Sequence, residues 1–573
     1  MDIISELKKL IEKAVGGLGI EVGNFSVEYP ENSERGDLAT NVAMVSAKKA
    51  GMNPKELAEK IKIEIEKIKP DFVGSVEIAG PGFINFHLSP EYFTHELRKI
   101  LKDGKKYGKG SARKRERIII DYTDPNPFKE FHIGHLMSNA IGESLSRLVE
   151  SQGAKVVRVC YQGDVGPHVA KTIYGIQNSK LNIEDFKGKS LSERTRFLGE
   201  CYTSGSRVYE EDETAKKEIE EINRKIFTGD GKELMRIYEL GKKWSLEHFD
   251  EIYRELGTKF DKFIFESEVA DDGVKITQEF LKKGVFENSD GAVVFKGEKH
   301  DPKLHTRVFI NSKGLPTYEA KELGLNALKW KKWRPDKSII VTANEQSEYF
   351  RVVLKALEQI APDIRKVTEH IAHGMLRLAD GKMSSRKGSI ITGKSLLRDV
   401  KGLVSEKIKD RGFDKKENEE IASIVAVAAI KYSILKQAIG GDIVYDFEKS
   451  VSFEGDSGPY LLYTAVRAKS VLEKAKDEGI KLKIMSGIEV TEIEKILSRF
   501  PQIVQGAEND NAPHKLASYL IELSATFNSW YAHTTIVVKG DKESPYRVAI
   551  TEAVRTVPEN GLDLLGIKVP NRM

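Results

Sequence analysis

The stretch Arg117-Ile-Ile-Ile-Asp-Tyr122 restricts the fold more than any other part of the chain. Three consecutive isoleucines leave no polar face, so the run reads as a strand buried on both sides in a parallel sheet. A loop, a helical stretch from about His135 to Ser151, and a second apolar run, Lys155-Val-Val-Arg-Val-Cys-Tyr161, follow it. That order is a βαβ unit, and the handedness of its crossover leaves few topologies open. A second set stands far downstream, with Ser338-Ile-Ile-Val-Thr342 as strand and Gln346 to Ile360 as helix. The expected fold is α/β: a Rossmann-type nucleotide-binding sheet split by an insertion at about 176–300. The insertion reads as helical and heavily charged. In its best helix Leu234, Ile237, Tyr238, Leu240, Trp244, Phe249, Ile252, Tyr253 and Leu256 recur near a 3.6-residue period.

At 573 residues the chain exceeds what one hydrophobic core supports, so three or four domains are expected. The first part, 1–112, opens with an amphipathic helix and continues with Asn53-Pro54, a helix cap followed by a first-turn proline. It closes with a strand-like run over Ser75–Phe86, which makes a small α/β module. Ten Lys/Arg against two acids lie between Arg98 and Arg117. This basic linker reads either as a solvated flexible connection or as a hinge whose cations touch a phosphate backbone. The sheet and its insertion occupy 113–400. From 401 to 573 helical periodicity dominates, with Gly455-Asp-Ser-Gly-Pro459 and Phe500-Pro501 as helix breaks.

A net charge of +4 is too small to diagnose nucleic-acid binding by itself. The two cysteines, Cys160 and Cys201, form no C-x-x-C pair, so neither a zinc knuckle nor a disulfide framework is expected. The first residues carry no basic and apolar leader and no stretch approaches a membrane span, so a cytoplasmic chain is expected.

The chemistry concentrates at two places. In Asp121-Tyr-Thr-Asp-Pro-Asn126-Pro-Phe-Lys129-Glu-Phe-His132-Ile-Gly134-His135 the first strand ends and the first helix begins. Backbone N–H groups and the helix dipole favour an anion there. Two imidazoles can donate to phosphate oxygens, and Gly134 lets a nucleotide approach the backbone. The same H-x-x-H spacing also suits two metal ligands, but a metal would need one or two further ligands and no obvious partner stands beside them. The second place is Gly381-Lys382-Met383-Ser384-Ser385-Arg386-Lys387-Gly388, where three cations and two hydroxyls share a Gly-flanked loop. Such a loop can close over a triphosphate and stabilise the leaving pyrophosphate. Overlapping it, Gly388-Ser-Ile-Ile-Thr-Gly393-Lys394-Ser395 spells a P-loop. No apolar strand precedes it, and its adjacent isoleucines suit a strand better than a phosphate cradle.

The His-Ile-Gly-His and Lys-Met-Ser-Ser-Arg elements, in that order on a split sheet, resemble the two signatures of class I aminoacyl-tRNA synthetases. The resemblance covers the whole chain and narrows to the arginyl-tRNA synthetase family. Glu34-Arg-Gly-Asp-Leu-Ala-Thr-Asn and Ala79-Gly-Pro-Gly-Phe-Ile-Asn look like that family's N-terminal tRNA-contacting domain. Tyr161-Gln-Gly-Asp-Val-Gly looks like its second catalytic strand and turn. Asp456-Ser-Gly-Pro-Tyr-Leu-Leu-Tyr, Val466-Arg-Ala and the closing Gly561–Met573 stretch look like its helical anticodon-binding domain.

This resemblance implies ligation of L-arginine to its tRNA through an adenylate formed from ATP, with Mg2+ accompanying ATP and no zinc, in a chain expected to be monomeric. It implies ATP contacts from His132, Gly134, His135, Lys382, Met383, Ser384 and Ser385. The arginine would meet Asn126, Tyr318, Gln346 and two acids, Asp121 and Glu322, since a planar guanidinium asks for paired carboxylate bonds. The chain departs from the family pattern at both acids, with Asp at 121 where Glu is common and Glu at 322 where Asp is common. It departs again at Ser385, where a catalytic lysine is usual. Lys129, just before the histidine element, is therefore assigned the transition-state charge, assisted by Lys382, Arg386 or Lys387. For tRNA the candidates are Tyr460, Tyr463, Arg467, Trp530, Tyr531 and Met573. Aromatics at such positions stack on unpaired bases, or in the case of Tyr460 and Tyr463 simply form a helix's core face. His514 equally reads as a helix-start residue.

Overall fold

An isoleucine run with both faces apolar satisfies its backbone and its side chains only inside a covered sheet. The computed structural model, which describes residues 3–30, 35–379 and 392–573, puts it there. Five parallel strands form the sheet: β1 (Arg117–Tyr122), β2 (Lys155–Gln162), β3 (Lys262–Phe265), β4 (Lys337–Ala343) and β5 (Thr368–His373). Their spatial order is β5-β4-β1-β2-β3, with Ile119 facing Val157 on one side and Ser338 on the other. The winding reverses beside β1, and ligands of such sheets bind outside the strand ends at that point. β3 falls within the stretch expected to be a helical insertion; four residues are too few to show a strand period between long helices.

The helices that matter for the site are α1 (Ile133–Ser151), α2 (Lys232–Leu256), α3 (Glu266–Lys282), α4 (Tyr318–Trp333), α5 (Ser347–Ile360) and α6 (Gly393–Lys407). α1 lies so close to β1 that a Cβ at Gly142 would run into the Tyr122 ring. Behind that contact the Tyr122 hydroxyl donates to Glu143 at 2.6 Å, and Arg147 and Arg158 complete the carboxylate's partners at 2.7 and 3.2 Å. Pairing of this kind offsets the desolvation cost of burying the acid. α2 buries its apolar stripe as its spacing demands, with Leu234, Ile237, Tyr238, Trp244, Phe249, Ile252, Tyr253 and Leu256 inside.

The sheet belongs to a unit formed by Lys109–Tyr463, Gln505–Ser518 and Gly561–Met573. Within it the last segment is tied to α1, since Ser144 Oγ donates to the Leu564 carbonyl at 3.1 Å. The buried Lys431 ammonium donates to the carbonyls of Leu256 and Gly566 at 2.8 and 2.7 Å.

The other unit comprises Met1–Gly108, Thr464–Val504 and Tyr519–Asn560. It contains a four-stranded antiparallel sheet in the order Val27–Glu28, Leu38–Thr40, Phe83–Leu88, Val73–Ala79. The run read as one strand is thus a hairpin. Its turn falls at Gly80-Pro81-Gly82, where both glycines have positive φ (54° and 125°). Helix Pro54–Ile68 starts as expected, with the Asn53 side chain accepting from the Lys55 N–H at 2.9 Å. The basic linker is more structured than a flexible connection. Arg98, Lys99 and Lys102 ride on helix Pro90–Asp103, Tyr107 is buried, and Gly108 (φ 90°) lies where a Cβ would strike the Phe500 ring.

Gly142→Ala should push α1 off β1 and destabilise this unit by about 1–3 kcal/mol, as overpacking does. A lowered thermal unfolding midpoint, read by circular dichroism, checks this.

Candidate active site

Beyond Tyr122 the backbone leaves its ordinary regions. Thr123 (φ 83°), Asp124 (φ 48°) and Phe128 (φ 68°) are non-glycine residues with positive φ, a strain that needs outside support. The Thr123 N–H donates to Ser138 Oγ (2.9 Å), Asn139 Nδ2 donates to Thr123 Oγ1 (3.0 Å) and the Phe128 N–H donates to Ser245 Oγ (2.9 Å). α1 and α2 therefore hold the loop that carries Asn126 and Lys129 to the start of α1.

His132 caps α1. Its Nδ1 accepts from the Gly134 N–H at 3.1 Å, while His135 Nδ1 accepts from the His132 N–H at 3.2 Å. The rings stack with centroids 3.6 Å apart. Because both Nδ1 atoms accept, each neutral ring carries its proton on Nε2. Burial and then the Lys129 ammonium lower the His132 pKa; burial, His132 and Lys129 lower that of His135 further. At pH 7 the pair is neutral and offers two Nε2–H donors at a helix N-terminus, a setting suited to phosphate oxygens. A Cβ at Gly134 would stand 3.0 Å from the His132 ring, so glycine keeps that approach open. Among the described residues no group of three or more His, Cys, Asp or Glu side chains could hold a metal.

The second half of the site lies at the same end of the sheet. Tyr318, Glu322, Asn326 and Lys329 lie on one face of α4, at i, i+4, i+8 and i+11. The buried Lys329 ammonium donates to Asp121 Oδ2, and Asn326 Nδ2 donates to Glu322 Oε1 at 3.0 Å. Asp121 Oδ1 is buried without a hydrogen-bond partner. Next to them Lys321 pairs with Glu266, the first residue of α3. Four carboxylates, Asp121, Asp124, Glu266 and Glu322, thus act on one another with two ammonium groups between them. Burial pushes the Glu322 carboxyl up to about 7, with Lys329 opposing the rise and Asp121 adding to it. Burial and Asp121 likewise hold the Asp124 carboxyl well above the usual carboxylate range. A desolvated pocket with surplus acid is suited to a cationic ligand.

Asn126 commits its oxygen to the Gly163 N–H at 2.9 Å. A Cβ at Gly163 would stand 2.5 Å from that oxygen. One residue on, Asp164 accepts from Lys242 (2.8 Å), the Tyr238 hydroxyl (2.9 Å) and both the N–H and hydroxyl of Ser267 (2.9 and 2.7 Å). It thereby fixes the start of α3 and the place of Glu266. Tyr318 is half exposed, 4.5 Å from the Lys321 ammonium. Gln346 is exposed in the turn between β4 and α5. Asp124, Glu266, Lys321 and Lys329 were not foreseen. The only hint of α4's role is that Lys and Glu recur all round it, with no clean apolar stripe.

Lys382, Met383, Ser384, Ser385, Arg386 and Lys387 lie outside the described residues, as does Glu34. Thr392 stands beside the histidines, where it forms a β-bridge with His132, and the Gly393 N–H donates to the Phe131 carbonyl at 2.6 Å. The described end of the P-loop spelling is a helix start, with Thr392 Oγ1 capping Ser395 and Lys394 paired with Glu251 at 3.2 Å. Lys129 also borders a cavity of about 520 Å³ walled by Arg196, Lys394, Arg398 and Lys401, a basic surrounding that attracts phosphates. Tyr460 and Tyr463 are half-buried on helix Gly458–Asp477, and Met573 is half-buried at the last position. Farther along that helix Arg467 donates to Asn528 Oδ1 at 2.6 Å with its guanidinium 4.9 Å from the Tyr531 ring. Trp530 and Tyr531 share helix Pro513–His533, and His514 lies in its first turn.

A sheet of this order, with paired histidines capping the helix after its central strand, defines the catalytic domain of a class I aminoacyl-tRNA synthetase. Residues 96–447 match the family model described as tRNA synthetases class I (R), catalytic domain; residues 461–573 match the DALR anticodon binding domain, and residues 2–88 the arginyl tRNA synthetase N terminal domain. The arginine–tRNA ligases of Fusobacterium nucleatum and Borrelia hermsii are 30% and 29% identical to the chain, covering 99% and 100% of it and 99% of each relative. The solved arginyl-tRNA synthetase of Thermus thermophilus superposes with a TM-score of 0.81 at 23% identity, over 100% of both chains. The chain belongs to the arginyl-tRNA synthetase family.

The protonation of Glu322 is directly measurable. Proton uptake by the wild type minus that of Glu322→Gln should show a step centred near pH 7. In an Asp121→Asn background the step should move to lower pH, because Asp121 contributes to the rise.

Proposed function

We propose that the protein ligates L-arginine to its cognate tRNA for protein synthesis. The observation that carries this reading is the surplus-acid pocket of Asp121, Asp124, Glu266 and Glu322, set at the same sheet end as the neutral histidine pair. One half suits a guanidinium and an α-ammonium, the other a triphosphate. In the first step a carboxylate oxygen of arginine attacks the ATP α-phosphorus, the bond to the bridging oxygen breaks and pyrophosphate leaves. In the second the terminal ribose 2′-hydroxyl of tRNA attacks the acyl carbon and AMP leaves. Positioning and charge stabilisation supply the rate, with no protein nucleophile.

In this reading His132 and His135 donate from Nε2 to ATP, and Gly134 leaves room for it. Lys129 stabilises the charge that develops on the phosphates; its support is that its ammonium acts on both histidines and on Glu266. Lys382, Arg386 and Lys387 assist from the loop, with Met383, Ser384 and Ser385 lining ATP. Asp121 and Glu322 receive the guanidinium, while Asn126, Tyr318 and Gln346 hold the rest of the amino acid. Tyr460, Tyr463, Arg467 and Met573 contact tRNA. The working division is 1–112 for tRNA contact, 113–400 for catalysis and 401–573 for the anticodon side. Mg2+ accompanies ATP and zinc has no part. The enzyme acts as a cytoplasmic monomer; among the described residues no helix is long and apolar enough to cross a membrane.

Arginine-dependent ATP–pyrophosphate exchange is the decisive assay. Exchange with arginine, appearing only when tRNA is added, is expected. Exchange with another amino acid would overturn the specificity, and none with any amino acid would overturn the reaction. In the same assay Lys129→Ala should lower kcat on the order of 100-fold, the usual scale for losing a transition-state donor; unchanged turnover would remove Lys129 from its role.

A further inference from the structure

The face of α4 that carries Glu322 also carries two residues with no assigned role. Lys329 is 1% exposed and its ammonium meets Asp121 Oδ2; Asn326 is 2% exposed and its Nδ2 meets Glu322 Oε1 at 3.0 Å. Each therefore holds one oxygen of one acid. A purely structural ion pair inside a protein normally has every oxygen satisfied. Here Asp121 Oδ1 is buried and unpartnered, on the same carboxyl carbon as the oxygen that Lys329 holds. The pair is half complete, and the vacant half belongs to an acid at the carboxyl end of the central strand.

We propose that Lys329 and Asn326 are the positioning residues of the arginine pocket: each pins one oxygen of Asp121 or Glu322, leaving the other oxygen of each to receive the guanidinium. This rests on the arginine-charging reading above. A planar guanidinium needs acceptors in fixed directions, and a carboxylate held by one oxygen can no longer rotate its second away. Lys329 has a further effect, since its buried positive charge favours the ionised form of Glu322 against the rise that burial causes. The groups that face Glu322 are Asp121 at the end of β1, Asp124 in the following loop, Tyr161 on β2, Glu266 at the start of α3 and Tyr349 on α5, with Lys329 and Asn326 on its own helix. Of these, Lys329 and Asn326 favour its charged form; Asp121 and Glu266 oppose it.

The sign follows directly. Arginine binding strengthens as pH rises and Glu322 ionises, and removing either positioning residue moves that rise to higher pH. The test is kcat/KM for arginine in tRNA charging from pH 6 to 8.5, for the wild type, Lys329→Met, Lys329→Arg and Asn326→Ala. The wild-type profile should rise through about pH 7. Lys329→Met should shift the rise upward by a unit or more, costing about tenfold in kcat/KM near neutrality, through KM rather than kcat. Asn326→Ala should shift it the same way by less, and Lys329→Arg should restore the wild-type profile. An unmoved profile in Lys329→Met or Asn326→Ala, or an equal loss of kcat at every pH, would overturn the proposal. If Lys329→Met does not fold, Asn326→Ala decides by the same criterion. A wild type that charges tRNA with a different amino acid would instead overturn the arginine reading itself.

Discussion

The pairing of Lys329 with Asp121 at the buried end of the central strand is the contact on which the rest of the site depends. At that depth either charge alone would carry a large desolvation cost, and the contact between them offsets it. Each justifies the other, and together they set α4 against β1 in one register. Lys321 with Glu266 does the same between α4 and α3. Once those two pairs are made, Asp124 and Glu322 remain as acids with no ammonium of their own. The local excess of acid is therefore a consequence of how the helices are fastened to the sheet.

A few residues away, the same constraint produces the opposite chemistry. The loop after β1 is strained at Thr123, Asp124 and Phe128, and the strain is borne by Ser138, Asn139 and Ser245 on two helices. What that strain achieves is placement: His132 arrives as the cap of α1 with its Nδ1 already used. The tautomer follows from the backbone, and a histidine that would otherwise titrate near neutrality becomes a fixed neutral donor. A pair of neutral donors and a cluster of acids thus adjoin at the end of one strand. The Lys129 charge acts on both imidazoles and on Glu266.

Much of this was legible beforehand. The isoleucine run, the downstream strand at 338–342 and the helix stripe from Leu234 to Leu256 each have a period or a density that survives any packing, and each appears where expected. Asn53 as a cap and Gly455–Pro459 as a break were readable because caps and breaks are local chemistry. The misses have physical causes. β3 is four residues long, too short to show a period, and in the 75–86 run the apolar density on both sides outweighed Gly80-Pro81-Gly82, a turn signal that marks the hairpin. Lys329 and Lys321 were invisible because a lysine in a helix is most often a surface residue, and nothing nearby in sequence says that an acid more than 50 or 200 residues earlier will meet it.

By itself, then, the order of residues determined the parallel sheet, the helix after its first strand and the histidines at that helix's start, because periodicity and helix-start chemistry act over a few residues; the acids at 121 and 322 it offered only as candidates. Only the tertiary structure decided which charges are buried together, which oxygens remain unpaired and therefore which of those acids titrates near neutrality. Those quantities depend on desolvation and on distances between groups far apart along the chain, and neither exists until the helices close over the sheet.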